Sequence, residues 1–267
     1  MNNQLEPTYL RYIYYGLQKG SLSPDNAANL PDGFVGVYEE VFDSSLHVNQ
    51  RQDLLEQLGL WALLKKEVTA EFVAQVLEVE EEEVLKTINL FSTWFNSPKS
   101  EKYKLYHDRL RVFILQKLNA KQLSRLHEKL IERLELSIEN SEGSELEYYA
   151  LELLSEHLFI ESQLDNNYER LHAFVNNEDL WQRQIKISKN YAWSQKALQL
   201  GIKEGARRQH EMNTLRSTVN SVKLMTQEQN SSEDILNMLN EGDYEIALKR
   251  AESWEGERQF KLYLLML

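Results

Sequence analysis

The stretch from Thr69 to Phe95, TAEFVAQVLEVEEEEVLKTINLFSTWF, decides the fold. Apolar residues recur in it at spacings of three and four, which predicts two helices, over residues 71–77 and 80–95. Thr69 suits the N-cap of the first helix, because its hydroxyl can accept a hydrogen bond from the first turn. The residues expected to face inward are Phe72, Val73, Val76, Leu77, Val84, Ile88, Phe91, Trp94 and Phe95.

The flanking sequence adds a helix before this stretch, and a short strand and another helix after it. The segments predicted there are a helix over 50–65, a turn over 96–100, a strand over 103–106 and a helix over 107–118. Three helices, a turn and a short β element follow one another in the order of a winged helix. We therefore predict a winged-helix-like domain over residues 49–119.

The remainder of the chain predicts paired helices. No proline follows Pro98, so no residue beyond it removes a helical hydrogen bond. Small Ala247 would allow a neighbouring helix to approach closely. The expected segments are 121–134, 146–158, 168–176, 181–201, 206–227, 232–239 and 242–252. Because they show no fixed period, we predict an irregular TPR-like helical-repeat region over residues 120–267.

The fold class predicted for the whole chain is all-α. Only ten glycines and four prolines are available to interrupt helices in 267 residues. The last helix stops at Leu267 with its apolar face unpaired, whereas a solenoid normally ends on a polar capping helix. We therefore expect the repeat region to be truncated at its C-terminus.

Composition and charge argue against several classes of function. The chain contains no cysteine, which excludes disulfides, thiolate zinc sites and a cysteine nucleophile. Its formal net charge is −12, and Glu80 to Glu83 at the start of one helix would repel the phosphates of DNA. A nucleic-acid partner is therefore not expected. The small basic groups Lys65-Lys66, Lys99 to Lys104 and Arg207-Arg208 are expected to be solvated surface charge.

The sequence also carries no targeting or membrane signal. The first residues have neither a basic region nor an apolar run, so they do not form a signal peptide. No stretch approaches the roughly 20 apolar residues needed to cross a bilayer. We expect a cytoplasmic location and no membrane partner.

Two stretches resemble the NACHT and NB-ARC branches of the STAND class of signalling ATPases. The first is residues 5–12, LEPTYLRY, followed by residues 30–34, LPDGF, and it resembles the segment just after the nucleotide-binding core. The second is residues 103–114, YKLYHDRLRVFI, which is similar to a signature at the end of the winged helix in that class. The resemblance implies that residues 1–48 are a helical segment following a missing ATPase core.

The same resemblance singles out two site residues. In NB-ARC proteins a methionine-histidine-aspartate motif at this place lets the histidine contact bound ADP. Tyr106-His107-Asp108 matches its last two positions, so the resemblance implies that His107 senses nucleotide and that Asp108 is its structural neighbour. Tyr106 departs from the methionine. The alternative for His107 is that it caps the following helix or packs at the wing.

No motif in the chain supports catalysis of its own. The G-x-x-x-x-G-K-[ST] loop is absent, as are H-E-x-x-H, G-x-S-x-G and G-x-G-x-x-G. Carboxylates are abundant, but they are expected to be solvated, and His157 on an apolar stripe is expected to be a hydrogen-bonded core residue. We expect no enzyme activity, no metal site, and no cofactor in this chain, with ADP or ATP bound in a parent protein.

The expected function is that of a regulatory and sensing fragment of a STAND-type ATPase, with a role in bacterial defence or stress signalling. Its expected partners are its own ATPase domain and a sensed protein or peptide, and homo-oligomers would form through the parent protein. Ligand binding to the helical repeats would release a winged helix that closes on ADP. Two alternatives stay open: a stand-alone helical-repeat adaptor that binds protein, and a winged-helix regulator that binds DNA.

Overall fold

The computed structural model describes Tyr14, Tyr38, Glu39, Phe42 and residues 51–96, 101–140, 142–165 and 167–241. Ten α-helices have their bounds within these residues, beside a two-stranded antiparallel sheet, which confirms the predominantly helical class. The chain divides into two compact units between Leu130 and Ile131, inside one long helix. The segment expected over residues 242–252 lies outside the described residues, and of the helical segment expected over residues 1–48 only Tyr14, Tyr38, Glu39 and Phe42 are described.

Unit 1, which ends at Leu130, begins its continuous described part with a helix and a short strand. Its elements are α1 Arg51–Leu63, β1 Val68–Thr69, α2 Ala70–Leu77, α3 Glu81–Leu90, a 3-10 turn Ser92–Trp94, β2 Lys102–Tyr103, α4 Asp108–Lys117 and the first half of α5 Ala120–Asn140. The Thr69 cap of α2 is confirmed, because its Oγ1 accepts a hydrogen bond from the Phe72 N–H at 3.1 Å. The predicted strand over 103–106 is observed at 102–103.

Antiparallel pairing in unit 1 joins segments that are far apart in sequence. Val68 pairs with Tyr103 and Thr69 with Lys102. On the other side Phe95 forms a bridge with Leu105. Residues 102–105 therefore lie between two extended segments, and strand β1 is an element that the sequence analysis missed.

Aromatic packing explains why the predicted helix over 80–95 is shorter in the structure. Helix α3 ends at Leu90, and Phe91 leaves the helical conformation at φ −106° and ψ 35°. In a continuous helix, Trp94 would point about 80° away from the face that carries Val84 and Phe91. The break instead buries Trp94 against the rings of Phe91, Phe113, Tyr38 and Phe42.

Unit 2, from Ile131 onward, contains only helices among the described residues. They are the second half of α5, α6 Glu145–Asp165, α7 Glu169–Val175, α8 Glu178–Ser188, α9 Ala192–Arg207 and α10 Glu211–Glu241. Helix α6 packs against α7, α8 and α9, and α9 packs along α10. A buried cluster of Trp181, Leu198 and Leu224 joins α8, α9 and α10.

Two of the predicted helix boundaries in unit 2 are wrong. The single helix expected over 181–201 is broken by Lys189, which adopts a left-handed φ of 58°. Asn190 stabilises the break, since its side chain accepts from the Ala192 N–H and donates to the Ser188 carbonyl. Conversely, the segments expected over 206–227 and 232–239 form one helix, which begins at Glu211 after Gln209 at φ 56°.

A buried carboxylate ties α9 to α6. Glu204 is fully buried, and it accepts hydrogen bonds from Arg207 Nε at 2.8 Å and Arg208 Nε at 2.6 Å. Both arginines also donate to the Ser162 carbonyl near the end of α6. Burial would raise the pKa of Glu204, but hydrogen bonds from Arg207, Arg208 and Ser162 lower that pKa to about 2. Arg208, predicted to be solvated surface charge, is thus part of the packing, whereas Arg207 is 44% exposed, as predicted, and still pairs with Glu204.

Acidification should weaken the fold through this carboxylate. Since the folded pKa of Glu204 lies below its ordinary value of 4.5, its contribution is fully present above pH 4.5 and is lost as the pH falls towards 2. At ~1.4 kcal/mol for each tenfold change in ionisation constant, the loss is about 3 kcal/mol. We expect Glu204→Gln to lower the free energy of unfolding at pH 7 and to flatten its decline between pH 4.5 and 2.

Urea denaturation at pH 7, 4 and 3 checks this expectation. The matched control is Glu211→Gln, because Glu211 is an exposed carboxylate at the start of α10. If the wild type and the Glu204→Gln variant lose stability in parallel as the pH falls, the assignment to Glu204 is wrong.

Candidate functional site

A pocket of about 330 Å³ opens in unit 1 where the end of α1 meets the start of α4. Its volume lies within the ~300–1,000 Å³ that is usual for small-molecule sites. Three segments supply its walls: the end of α1 with the loop that follows, the connection from β2, and the first turn of α4. The lining residues are Trp61, Leu64, Lys65, Lys66, Lys104, Leu105, Tyr106, His107, Asp108 and Arg111. Both residues implied by the family resemblance, His107 and Asp108, therefore lie at this pocket.

His107 is the N-cap of α4. Its backbone is extended, at φ −143° and ψ 138°, and its Nδ1 accepts a hydrogen bond from the Arg109 N–H at 3.1 Å. Because an accepting ring nitrogen carries no proton, this hydrogen bond assigns the proton of the neutral imidazole to Nε2. The capping role, one of two that the sequence left open, is confirmed. Contact with a nucleotide stays a prediction.

The charge of the pocket is opposite to that of the chain as a whole. Among its lining residues are four cations, Lys65, Lys66, Lys104 and Arg111, and one carboxylate, that of Asp108, in a chain of net charge −12. A concave surface lined by one sign of charge concentrates ligands of the opposite sign. The pocket therefore suits an anionic ligand.

Arg111 is held in a defined position within this wall. Its Nε donates to the Ala62 carbonyl at the end of α1, at 3.0 Å. Its Nη1 lies 3.6 Å from a carboxylate oxygen of Asp108, whose side chain is 94% exposed. An ion pair that is so exposed to solvent holds its partners weakly, so an incoming anion can compete with Asp108 for the guanidinium.

Trp61 adds a buried donor at the same place. Its side chain is 2% exposed and packs edge-on against Phe95 and Tyr103, with ring centroids 5.2 and 6.3 Å away. Its indole Nε1 is buried and has no hydrogen-bond partner within the part of the chain that the structure describes. A buried donor without an acceptor costs free energy.

Two histidines of unit 2, His157 and His172, are buried. The prediction for His157 is confirmed: it is fully buried, and its Nε2 lies 3.1 Å from the Tyr149 hydroxyl. His172 is also buried, and burial lowers its pKa, while Glu204 raises that pKa and His210 lowers it. Across the described ranges, no three His, Asp or Glu side chains are grouped so as to hold a metal ion.

Replacing His107 separates its capping role from any other role. His107→Ala removes the acceptor for the Arg109 N–H, so we expect the free energy of unfolding to fall by about 0.5–2 kcal/mol. His107→Asn supplies a different side-chain acceptor and should retain most of the wild-type stability. Urea denaturation of the three proteins measures the difference. Equal stability of the Ala and Asn variants would contradict the capping role.

Comparison with known proteins does not indicate a function, so the function is argued from the pocket. No protein-family model and no curated protein matches the sequence. Among the described residues, no helix has both the length and the apolar character required to span a bilayer. The likeness to STAND ATPases therefore rests on the motifs in residues 5–34 and 103–114 alone.

Proposed function

We propose that this chain is the regulatory and sensing part of a STAND-type signalling ATPase, and that the pocket beside His107 binds the phosphate groups of a nucleotide. The observation that carries the proposal is the gathering of Lys65, Lys66, Lys104 and Arg111 around a capping histidine. Phosphates are the anions best matched to such a set, because lysine and arginine both form charge-assisted hydrogen bonds with them.

The position of the pocket at a helix start supports an anionic ligand. The dipole of α4 favours negative charge at its N-terminus, although the Arg109 N–H there is already bonded to His107 Nδ1. Asp108 lies in the first turn of α4, and one oxygen of its exposed carboxylate is 3.6 Å from Arg111 Nη1. A phosphate would replace this weak contact with a stronger one.

The order of elements in unit 1 supports the winged-helix part of the proposal. Helix α1 leads to β1, the pair α2 and α3 follows, and two extended segments then return to the sheet. Residues 102–105 lie between β1 and the segment at Phe95, and this antiparallel pairing is compatible with a winged helix. The pocket would then lie at the end of the wing.

The proposed coupling needs a difference in affinity between nucleotide states. ADP bound in an ATPase core would present its phosphates to Lys65, Lys66 and His107 and hold the core closed on unit 1. A nucleotide state that fits the pocket less well would let the ATPase core separate from unit 1. A ligand shifts such an equilibrium only by the difference between its affinities for the closed and the open state. The helical array of unit 2 would bind the sensed protein and favour release.

The DNA-binding alternative is disfavoured by the surface of α3. Glu81, Glu82 and Glu83 form its first turn and are all exposed, so the helix that would enter a major groove presents three carboxylates to phosphates. The adaptor alternative stays open, since the helices of unit 2 suit protein recognition with or without a nucleotide.

Titration with phosphate ligands tests the pocket directly. We expect calorimetry at low salt to detect binding of ADP and of inorganic pyrophosphate to the wild-type chain. Removing one charge-assisted hydrogen bond, worth about 1.5–3 kcal/mol, should weaken this binding about tenfold to a hundredfold in Lys66→Ala or Lys104→Ala. His107→Asn, which keeps the helix cap, should also weaken it.

The matched control for this titration is Lys121→Ala, because Lys121 is an exposed lysine of unit 1 that does not line the pocket. Its affinity for ADP should equal that of the wild type. Absence of binding at millimolar ligand, or equal affinity in all variants, would contradict a phosphate site.

A second experiment tests the link to an ATPase. An ATPase core with a G-x-x-x-x-G-K-[ST] loop, encoded in the same gene, should bind the chain more tightly with ADP than with ATP. His107→Asn should reduce this preference while preserving the fold. Binding that is indifferent to nucleotide, or a gene without such a core, would favour the stand-alone adaptor.

A further inference from the structure

His172, in α7, is a buried histidine whose ring makes no hydrogen bond within the described residues. Its exposed fraction is 6%, and both ring nitrogens, Nδ1 and Nε2, are buried without a partner there. Buried polar side chains are normally hydrogen-bonded, as His157 is to Tyr149 in the same unit. The protonated ring carries two N–H donors and a charge, so it costs more to bury than the neutral ring.

The charged and titratable groups around His172 come from elements that pack against α7. Glu204 of α9 and His210, in the turn before α10, act on it electrostatically. Tyr168, which precedes α7, has its ring centroid 6.1 Å from that of His172 and 5.8 Å from that of His210. The Arg208 guanidinium lies over the same Tyr168 ring, 4.9 Å from its centroid. The imidazole is thus part of a cluster at the end of α9.

Helices α6 and α10 also pack against α7, but their polar groups bond elsewhere. The buried carboxylate of Glu161 on α6 is bound by Arg170 of α7 at 2.8 Å. The side chains that α10 bonds to the end of α7 are neutral, such as Ser217 with Asn176 at 3.3 Å. Within the described residues, none of these side chains hydrogen-bonds to the His172 ring.

A proton on His172 is poorly compensated by this cluster. Glu204 attracts the charge, but its carboxylate already accepts hydrogen bonds from Arg207 and Arg208. The pKa of His172 therefore lies below its ordinary value of 6.5, chiefly because of burial, while Glu204 raises that pKa and His210 lowers it. Moving the ring into water would supply acceptors for both of its N–H groups.

Helix α7 is the element that can respond to such a proton. It has seven residues, and no side chain caps its N-terminus at Tyr168. A helix this short is not stable by itself, so it depends on the packing of its buried residues Leu171, Phe174 and Val175. Local opening of an element of this kind costs less free energy than unfolding the whole unit.

We propose that His172 is a pH-sensitive switch in unit 2: its neutral ring lets α7 pack against α9, and its protonation opens this contact. Because the pKa of the packed ring lies below 6.5, the contribution of His172 is fully present above pH 6.5. It is lost as the pH falls through the lower pKa of the packed state. Glu204 stays ionised over this range, since its pKa is about 2. The two pH effects are therefore separate.

Thiol labelling tests the switch on the full chain. The sequence contains no cysteine, so a single introduced cysteine is the only thiol. Val175→Cys places it at a buried position of α7, and Ala173→Cys places it at an exposed position of the same helix. Dividing the first labelling rate by the second at each pH removes the effect of pH on the thiol and the reagent. We expect this ratio to rise between pH 7.5 and 5.5, by up to about tenfold for each pH unit below 6.5.

Substitutions in the cluster assign the effect to one imidazole. His172→Phe keeps an aromatic ring that cannot be protonated, so the rise should disappear. His172→Gln, which is also uncharged at every pH, takes its place if the first variant does not fold. The matched control is His210→Asn, which removes the exposed imidazole but retains an acceptor for the Asn213 N–H at the start of α10. This control should keep the rise.

Three outcomes would overturn the proposal. A ratio that stays constant from pH 7.5 to 5.5 would show that α7 does not open. A rise that persists in the His172 variants, or that His210→Asn abolishes, would assign the effect to another group. Loss of the helical circular dichroism over the same range would indicate general unfolding in place of local opening. The measurement involves neither His107 nor its pocket, so its result is independent of nucleotide binding.

Discussion

Main-chain hydrogen bonds on both sides of residues 102–106 position one wall of the pocket in unit 1. On one side this segment pairs with Val68 and Thr69. On the other, the Asn96 N–H donates to the Lys104 carbonyl at 3.1 Å, and the Tyr106 N–H donates to the Trp94 carbonyl at 3.0 Å. With its backbone polar groups satisfied in this way, the segment delivers His107 beside the end of α1.

The helices around this ladder keep it in register. Arg111 of α4 donates to the Ala62 carbonyl of α1, and Lys129 of α5 donates to the Leu77 carbonyl of α2 at 2.8 Å. Both contacts satisfy carbonyls at helix C-termini, which have no partner within their own helices. They also place a cation next to the negative end of each helix dipole, where it is favoured. The hydrogen bond of Arg111 therefore joins the two helix ends that line the pocket.

The helices of unit 2 are held together differently, by ion pairs between buried carboxylates and arginines. The pairs are Glu147 with Arg183, Glu161 with Arg170, and Glu204 with Arg207 and Arg208. Each of these carboxylates is less than a tenth exposed. Breaking one such pair leaves a buried charge without compensation, which is costly. The pairs of Glu147 and Glu161 therefore restrict how α6 can slide against α8 and α7. An acidic composition is thus compatible with a specific helical array.

Some features follow from local signals and were therefore predictable. The Thr69 cap, the helix over 51–63 and the start of α4 after His107 all depend on residues within a few positions of one another. The break at Lys189 was not predictable in this way, because no glycine or proline marks it. Its left-handed backbone is favoured by burial of Trp181 and Leu198 on either side, which a single continuous helix would place on different faces.

The sequence by itself determined the helical class, the absence of thiol chemistry and the acidic character of the chain, because composition and helical periodicity act locally. It also directed attention to His107 through the resemblance to STAND ATPases. Only the tertiary structure decided that Lys65 and Lys66 join Lys104 and Arg111 around one pocket. These residues meet through backbone pairing across more than thirty positions of sequence, and no local pattern specifies the register of such pairing.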